Sequence, residues 1–487
     1  MKKRLSSLLS ALLLAAASCA ACGEASQAPA QTPSDTQSQQ TEAMNEETAA
    51  ANPLDAIAED DLGGFTLRIL YDTVSSWWII SLNADELNGE IINDTVYERN
   101  RFVEQKLNVK ITSQDTDQAM NLVSKSVKAG ADEYDMVWER MNQLIAASQN
   151  GYLHRIDDIS TISWDPKWWD SNSIDAFTIN GKLFFVCSDI NVHTVEGCSA
   201  MYFSKTLIGN HGLENPYQLV RDGKWTIGKM GEMMKVVAAD TNGDGKRSDG
   251  DTFGLITGIG QYLSLVNGAG VQLVYKTSEG GSDDFVLNIA NDKVVEVTEM
   301  VSSLINDKNL SVIVNDDSWG YNSFYTDHSL FYIMQLGSVV GMRDKMESDF
   351  GILPFPMYSE SQGYYTTSME ATAQAMCIPA SSPSADKIGE IAEAMAIYSD
   401  AFLTDAYYET TLKGKIARDE DTNEMLDILT ATRTFDYSTC FSAWGVYDKY
   451  LASVRKHGSE ELASLQAKIT DAFEKSKQKT IDAFAEI

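Results

Sequence analysis

The 487-residue chain is short of basic residues, of cysteine and of histidine, and beyond Ala17 it has no long apolar run. Lys and Arg number 38 against 70 Asp and Glu, for a net charge of -32. Nucleic acid and anionic lipid headgroups would be repelled by such a surface, so neither is expected as a ligand. Much of the charge simply keeps the surface soluble. Past Cys22 the cysteines are Cys187, Cys198, Cys377 and Cys440, with no CxxC pair and no Cys/His cluster. That argues against zinc and iron–sulfur centres. In an exported protein the span from Cys187 to Cys198 could close a small loop, and spacing leaves disulfides and free buried thiols both open. His154, His193, His211, His328 and His457 are scattered, so none is nominated as a ligand. There is no HExxH, no GxSxG, no P-loop and no GxGxxG opening a helix. Acidic residues are too numerous to single out a catalytic pair. No later apolar stretch approaches the about 20 residues of a membrane-spanning helix.

What is present starts at the first residues. Lys2, Lys3 and Arg4 precede an apolar run from Leu5 to Ala17, then small residues, then cysteine. These are the parts of a secretory signal. The LLLAAASCAACG stretch resembles the lipobox of bacterial lipoproteins, in which the new N-terminal cysteine is lipidated and tethers the protein outside the cell. Cys22, with Ala20 and Ala21 before it and Gly23 after, is the expected lipidated residue of a signal spanning 1–22. Cys19 also fits the pattern, and an ordinary secretory signal with incidental cysteines is the other reading. From Gly23 to Asp61 there is no Lys or Arg, and Ser, Thr, Gln, Ala, Pro and Glu dominate. Such a segment buries too little apolar surface to offset its ordering entropy, so 23–61 is expected to be a disordered linker.

About 425 residues remain, enough for two lobes of ordinary domain size. An apolar fraction of 44% and a mean hydropathy of -0.22 fit a soluble globular body. TLRILY (66–71), NVKITSQ (108–114) and YDMVWER (134–140) read as strands. Between and after them come helical patterns capped at Asn93 or Asp94, begun at Asp117 and ended at Gly130, and carried by NQLIAASQNGYL. This alternation predicts βαβ units and a parallel sheet. FTINGKLFFVCSDI (177–190) reads as a hairpin leaving that sheet. SAMYFSKTLI then opens a second α/β set as a strand running into a helix. Met230, Met233, Met234 and Val237 fall on one helical face, which is read as core and not as a ligand surface. A helix from about Ser384 turns Ile388, Ile391, Met395 and Tyr398 inward, and the last thirty residues form an amphipathic helix on Leu462, Leu465, Ile469 and Phe473. No internal repeat is visible.

One short motif is specific. DTNGDGKRSDGD (240–251) fits the twelve-residue EF-hand loop, with Asp240, Asn242 and Asp244 at positions 1, 3 and 5. Gly245 supplies the sharp turn at 6, Lys246 a carbonyl at 7, Ser248 position 9 and Asp251 position 12. A hard cation needs six to eight oxygens, which converge only if the chain turns at the glycine. A solvated Asn-Gly/Asp-Gly turn would use the same residues. Asp at position 12 has a shorter arm than the usual Glu, and TFGLITG after the loop reads as a strand. The expectation is therefore a structural calcium staple in a helix–loop–strand setting.

Several blocks resemble the extracellular solute-binding proteins of ABC importers, in particular the family 1, sugar-binding type of Gram-positive bacteria. They are NPYQLVRDGKWTIGKMGEMMKVVAADTNGDGKRSDGDTFGL, SLFYIMQLGSVVGMRDK, DFGILPFPMY, MCIPASSPSADKIGEIAEAMAIYS and AYYETTLKGKIARDEDTNEMLDIL. The resemblance implies a periplasmic-binding-protein-like α/β fold: two lobes joined by a hinge of about three crossovers, with the ligand cleft between them. It puts 62–190 and 318–365 in lobe 1, and 191–317 and 366–487 in lobe 2. The chain would leave lobe 1 near 188–195, return near Asp317 and cross again within 359–373. In open α/β sheets ligands sit at the carboxyl ends of strands. That rule nominates Trp77 and Trp78 after the first strand and Glu139 and Arg140 at the end of the third, with Trp319 and Glu370 near the crossovers. Aromatic rings suit sugar faces, and carboxylate and guanidinium groups suit hydroxyls. The expected protein is a monomeric, non-catalytic lipoprotein on the extracellular face of the cell membrane, which captures a sugar or oligosaccharide for an ABC permease. An anchored glycan-degrading enzyme, or a sensor or adhesion module on the same fold, are the alternatives.

Overall fold

β1 (Phe65–Asp72) buries Leu67, Ile69 and Leu70 and so is covered on both faces, as an interior parallel strand must be. The computed structural model describes residues 52–74, 81–241, 243–246, 248, 250–314, 322–343, 345–409 and 420–486. The strands after β1 are β2 (Val109–Thr116), β3 (Met136–Arg140), β4 (Phe185–Val186), β5 (Ser199–Ser204), β6 (Phe253–Gly258) and β7 (Val274–Glu279). They continue with β8 (Ser282–Leu287), β9 (Ser311–Val314), β10 (Ser329–Gln335), β11 (Phe350–Leu353), β12 (Thr367–Ser368), β13 (Gln374–Cys377) and β14 (Arg433–Thr434).

Two five-stranded sheets organise the body, in the orders β2-β1-β3-β13-β4 and β11-β5-β10-β6-β9. In the first, β1 runs parallel to β2 and β3, as the strand–helix alternation predicts. The helix Ile91–Leu107 makes the crossover from β1 to β2 and stops at Asn108, whose left-handed backbone sends its N–H back to Glu104. The helix Ala119–Ala129 ends where expected, on Gly130 at φ 62. Arg68 on β1 donates through Nε and Nη2 to the buried Asp135 carboxylate at 2.8 and 2.7 Å, pinning β1 to the entry of β3. The methionine face at 230–237 is core as read, with Met230, Met233, Met234 and Val237 all buried.

The lobe boundaries differ from those expected. The segment 318–365, expected in lobe 1, supplies β10 and β11 to the second sheet, where both pair antiparallel with β5. Conversely β13, from the segment expected in lobe 2, inserts into the first sheet, antiparallel to β3 and β4. The chain thus leaves the first sheet at β4 and enters the second at β5. The return expected near Asp317, which lies outside the described residues, is not made there, since β9 and β10 on either side both belong to the second sheet. Among the described residues the return lies between Leu353 and Gln374. A third passage lies between the helix Ala385–Tyr398, which packs on the first lobe through Tyr398 against Phe102, and the helix Glu420–Ala431. The latter is tied to the second lobe by Arg221 with Asp421 and Glu424. The body also starts earlier than expected. Within the linker assigned to 23–61, Pro53–Ala56 form a 3-10 turn and Ile57 is buried, so the last part of that segment is folded. The expected hairpin at 177–190 reduces to the tight turn bridging Ile179 and Lys182, followed by the two-residue β4. Cys187, Cys198, Cys377 and Cys440 are free and buried, so the 187–198 loop is not closed by a disulfide. Among the described residues no helix is long and apolar enough to cross a membrane.

Candidate functional site

β1 and β3 lie side by side and end in charge: Asp72 closes the apolar run of β1, and Glu139 and Arg140 close β3. Their carboxyl ends bring the three groups together. Arg140 Nε lies 3.1 Å from Asp72 Oδ2 and 3.3 Å from Glu139 Oε1. Arg140 retains 21% side-chain exposure, while Asp72 is fully buried and Glu139 nearly so. Burial raises the Asp72 carboxyl above its ordinary pKa, with the Arg140 charge working against the rise. Burial also raises Glu139, helped by the negative charge of Asp72. Glu139 is held by backbone, accepting from Met120 N–H at 3.2 Å and from its own neighbour Arg140 N–H at 2.9 Å. It therefore anchors the helix Ala119–Ala129 to the end of β3, and Arg140 is the member that faces outward. Among the described residues Asp72 Oδ1 has no hydrogen-bond partner, although it is buried.

The crossovers form the floor beside this cluster. Gln374, the first residue of β13, donates to the Asp72 carbonyl at 2.6 Å and accepts from Asn191 Nδ2 at 3.0 Å. The Ala371 and Ala373 carbonyls accept from Asn142 and Met141 N–H, both at 3.1 Å, which sets the returning crossover directly against the residues after Arg140. The outgoing crossover lies along it, with Cys198 bridged to Met369 and Glu370 N–H donating to the Gly197 carbonyl at 3.0 Å. The two passages are packed so closely that a Cβ on Gly197 would stand 2.6 Å from that of Ala373. Glu370 is half-buried and accepts from Gln335 Nε2, at the carboxyl end of β10, at 2.7 Å. Burial raises its carboxyl, and the Gln335 bond opposes the rise.

Of the six nominated ligand residues, the structure gathers Glu139 and Arg140 at one strand end and sets Glu370 on the neighbouring crossover. Trp77, Trp78 and Trp319 lie outside the described residues. Asp72, Asn191, Gln335 and Gln374 were not nominated. Asp72 has a usable signal, the charged residue that ends an apolar strand, whereas the three amides carry none.

The loop at 240–251 sits between the helix Ile227–Val237 and β6, and its neck is closed by reciprocal bonds between Ala239 and Thr252 at 3.0 and 3.1 Å. Asp240 accepts from Gly243 and Gly245 N–H, both at 2.8 Å, and both glycines take the left-handed conformation at φ 71. The buried Asp251 accepts from Thr241 and Ser248 N–H at 3.0 and 2.7 Å. Asp244 accepts from Lys246 N–H at 2.8 Å. Positions 1 and 12 are thus turned into the loop. Asn242 lies outside the described residues, and among those described no trio of His, Cys, Asp or Glu is gathered as a metal centre.

Residues 101–396, well over half of the chain, match the family described as bacterial extracellular solute-binding protein. The chain belongs to that family. The family is one of binding proteins, and its description places the chain outside the cell. No curated protein matches it by sequence. Among solved structures, UgpB from Mycobacterium tuberculosis, in complex with glycerophosphocholine, is 15% identical at a TM-score of 0.56, covering 85% of this chain and 99% of its own. A cyclo/maltodextrin-binding protein complexed with maltotetraose is 13% identical at 0.56, covering 83% and 96%. RafE from Streptococcus pneumoniae, in its apo form, is 13% identical at 0.54, covering 85% and 98%. At these identities the likeness establishes the two-lobed α/β fold.

Proposed function

We propose that this extracellular solute-binding protein is the receptor of an ABC importer and that its ligand is a neutral carbohydrate, captured where the carboxyl ends of β1 and β3 meet the crossovers. The observation that carries the reading is the Asp72–Arg140–Glu139 cluster. Arg140 already stands between two carboxylates, so no net positive field remains to hold a phosphate or carboxylate, and the overall charge of -32 disfavours anions further. What the cluster offers is an outward guanidinium donor and adjacent acceptors, which suits hydroxyls. The bound maltotetraose of one fold neighbour supports a carbohydrate, and the glycerophosphocholine of another supplies the competing ligand class to test. Trp77, Trp78 and Trp319 are the proposed stacking residues, and Glu370 a hydroxyl acceptor on the returning crossover. The ligand is held between the lobes as they close and leaves chemically unchanged.

The proposal includes the setting of that receptor. It is a monomer lipidated at Cys22, with Cys19 as the alternate acceptor, held at the outer face of the cell membrane for a permease. A calcium ion in the 240–251 loop would take its oxygens from Asp240, Asn242, Asp244, the Lys246 carbonyl, Ser248 and Asp251. The left-handed turns at Gly243 and Gly245 and the inward Asp240 and Asp251 support that fit, and the ion would serve as a staple and not in ligand chemistry. Incubating the purified protein with a panel of oligosaccharides and glycerophosphocholine, then recovering each by chromatography, tests the reading. An intact bound carbohydrate is expected. A cleaved product would make the protein an enzyme, and retention of glycerophosphocholine alone would remove the carbohydrate claim.

A further inference from the structure

Arg99, on the helix Ile91–Leu107, is fully buried, and among the described residues none of its partners is a carboxylate. Its guanidinium instead donates to main-chain carbonyls from two remote segments: Ser81 at 3.0 Å and Leu82 at 3.2 Å, and Ile190 at 2.8 Å on the outgoing crossover. The other bonds reach Ser399 Oγ at 3.1 Å and Asn100 Oδ1 at 3.1 Å. Ser399 opens the π-helical turn Ser399–Leu403, at the end of the helix Ala385–Tyr398. Such widened turns occur mostly where function has displaced regular packing.

Burying a cation against neutral acceptors alone is costly, and an apolar side chain of similar volume would often serve stability as well. What only a planar fork of five donors can do is gather several backbone carbonyls at fixed angles. A second layer of bonds continues from the same point toward the site. Ser81 Oγ donates to Asn191 Oδ1 at 3.2 Å and accepts from Val192 N–H at 2.9 Å. Asn191 then donates to Gln374, and Gln374 to the Asp72 carbonyl, at 3.0 and 2.6 Å. Beyond Val192 the chain breaks into the short turn His193–Glu196 and reaches Gly197, where the crossovers touch.

We infer that Arg99 is a positioning residue for ligand capture: it locks the outgoing crossover as far as Val192, together with the Ser81–Leu82 loop, to the first lobe, and so confines lobe motion to the residues beyond. The inference deepens the proposed receptor reading and rests on it for the meaning of closure. Its geometry is independent of which solute binds. In Arg99→Met the carbonyls of Ser81, Leu82 and Ile190 lose their shared donor, so the crossover is free to move against the lobe.

The test uses the ligand-free protein spin-labelled at Lys125→Cys and Lys308→Cys, exposed positions on the first and second lobes. Among the described residues the native cysteines, Cys187, Cys198, Cys377 and Cys440, are buried, and the labelled protein starts after Cys22 so that no other thiol takes the label. Arg99→Met is expected to broaden the interlobe distance distribution relative to the parent. Arg99→Lys, which keeps the charge but not the fork, should fall between them. Ser399→Ala removes one acceptor without orphaning a carbonyl; it should broaden the distribution less, and it decides the matter if Arg99→Met does not fold. With maltotetraose as probe, binding to Arg99→Met should be about tenfold weaker, the scale of losing charge-assisted hydrogen bonds. Lower melting temperatures with unchanged distance distributions in the folded variants would overturn the inference and leave Arg99 as core only. Should the parent ignore maltotetraose, the ligand reading is at fault, while the distance distributions still judge Arg99.

Discussion

Glu139, Asp72 and Arg140 form one electrostatic unit, and its pH behaviour follows from burial. Both carboxyls are raised, and the charges facing them are each other, Arg140 and, for Asp72, Asp117. Between the ordinary carboxylate range and the raised values, the folded state binds more protons than the unfolded state. Stability therefore falls as pH rises through that window, by no more than about 1.4 kcal/mol per pH unit for each group. Denaturant unfolding across that window should give a flatter profile for Glu139→Gln than for wild type, with about 1 kcal/mol of general loss from the sacrificed acceptor. Parallel profiles would mean that Glu139 titrates normally. Gly197 makes a steric prediction of the same scale. Gly197→Ala drives a methyl into Ala373 and toward the His193 carbonyl at 3.1 Å, and should cost about 1–3 kcal/mol. Ala373→Gly in the same chain should restore most of that loss in urea melts, and failure of the rescue would put the strain elsewhere. At this scale the sequence disclosed the charged strand ends, because a polar residue closing an apolar run is visible by itself. It could not disclose Asn191, Gln335 or Gln374, since an amide becomes a site residue only through what the fold sets beside it.

Strands were readable as elements but not by membership. SLFYIMQ is apolar on both faces, so its pattern fits the centre of either sheet. Only pairing with β5 and β6 assigns β10 to the second lobe, which is why the segment 318–365 was placed in the wrong one. β13 fails the same way in reverse, because four buried residues fit the interior of either mixed sheet and carry no address. The crossovers near 188–195 and 359–373 are legible as breaks between α/β sets, but the return expected near Asp317 is not made between β9 and β10, which share a sheet, so the direction of the later crossover is reversed. Among loops, 240–251 carries a prediction of its own. If calcium fills it, chelator should lower the melting temperature of the purified protein, since a ligand at a hundred times its dissociation constant adds about 2.7 kcal/mol. Asp244→Ala should erase the difference between chelated and calcium-loaded samples. Melting that ignores chelator in the wild type would leave an ordinary turn held by the Asp240 and Asp251 bonds.

For the whole molecule, two sheets are joined by crossovers that run side by side, and these meet at a seam where Gly197 packs on Ala373 and Cys198 bridges Met369. The Asp72–Arg140–Glu139 cluster, the proposed ligand contact, lies on the first lobe at that seam, and Glu370 with Gln335 lies beside it. Fold class was legible because alternating strands and helices leave few architectures. Ligand identity was not, because specificity rests on a few side chains from distant segments, and a shared fold does not transfer it. The most direct measurement is titration calorimetry of the purified protein with neutral oligosaccharides, maltotetraose first, on wild type and Arg140→Ala. The account predicts saturable one-to-one binding that weakens by about 2 kcal/mol or more in the variant, the scale of a central binding contact. Absence of heat with every carbohydrate, together with tight binding of a peptide, a polyamine or glycerophosphocholine, would contradict it.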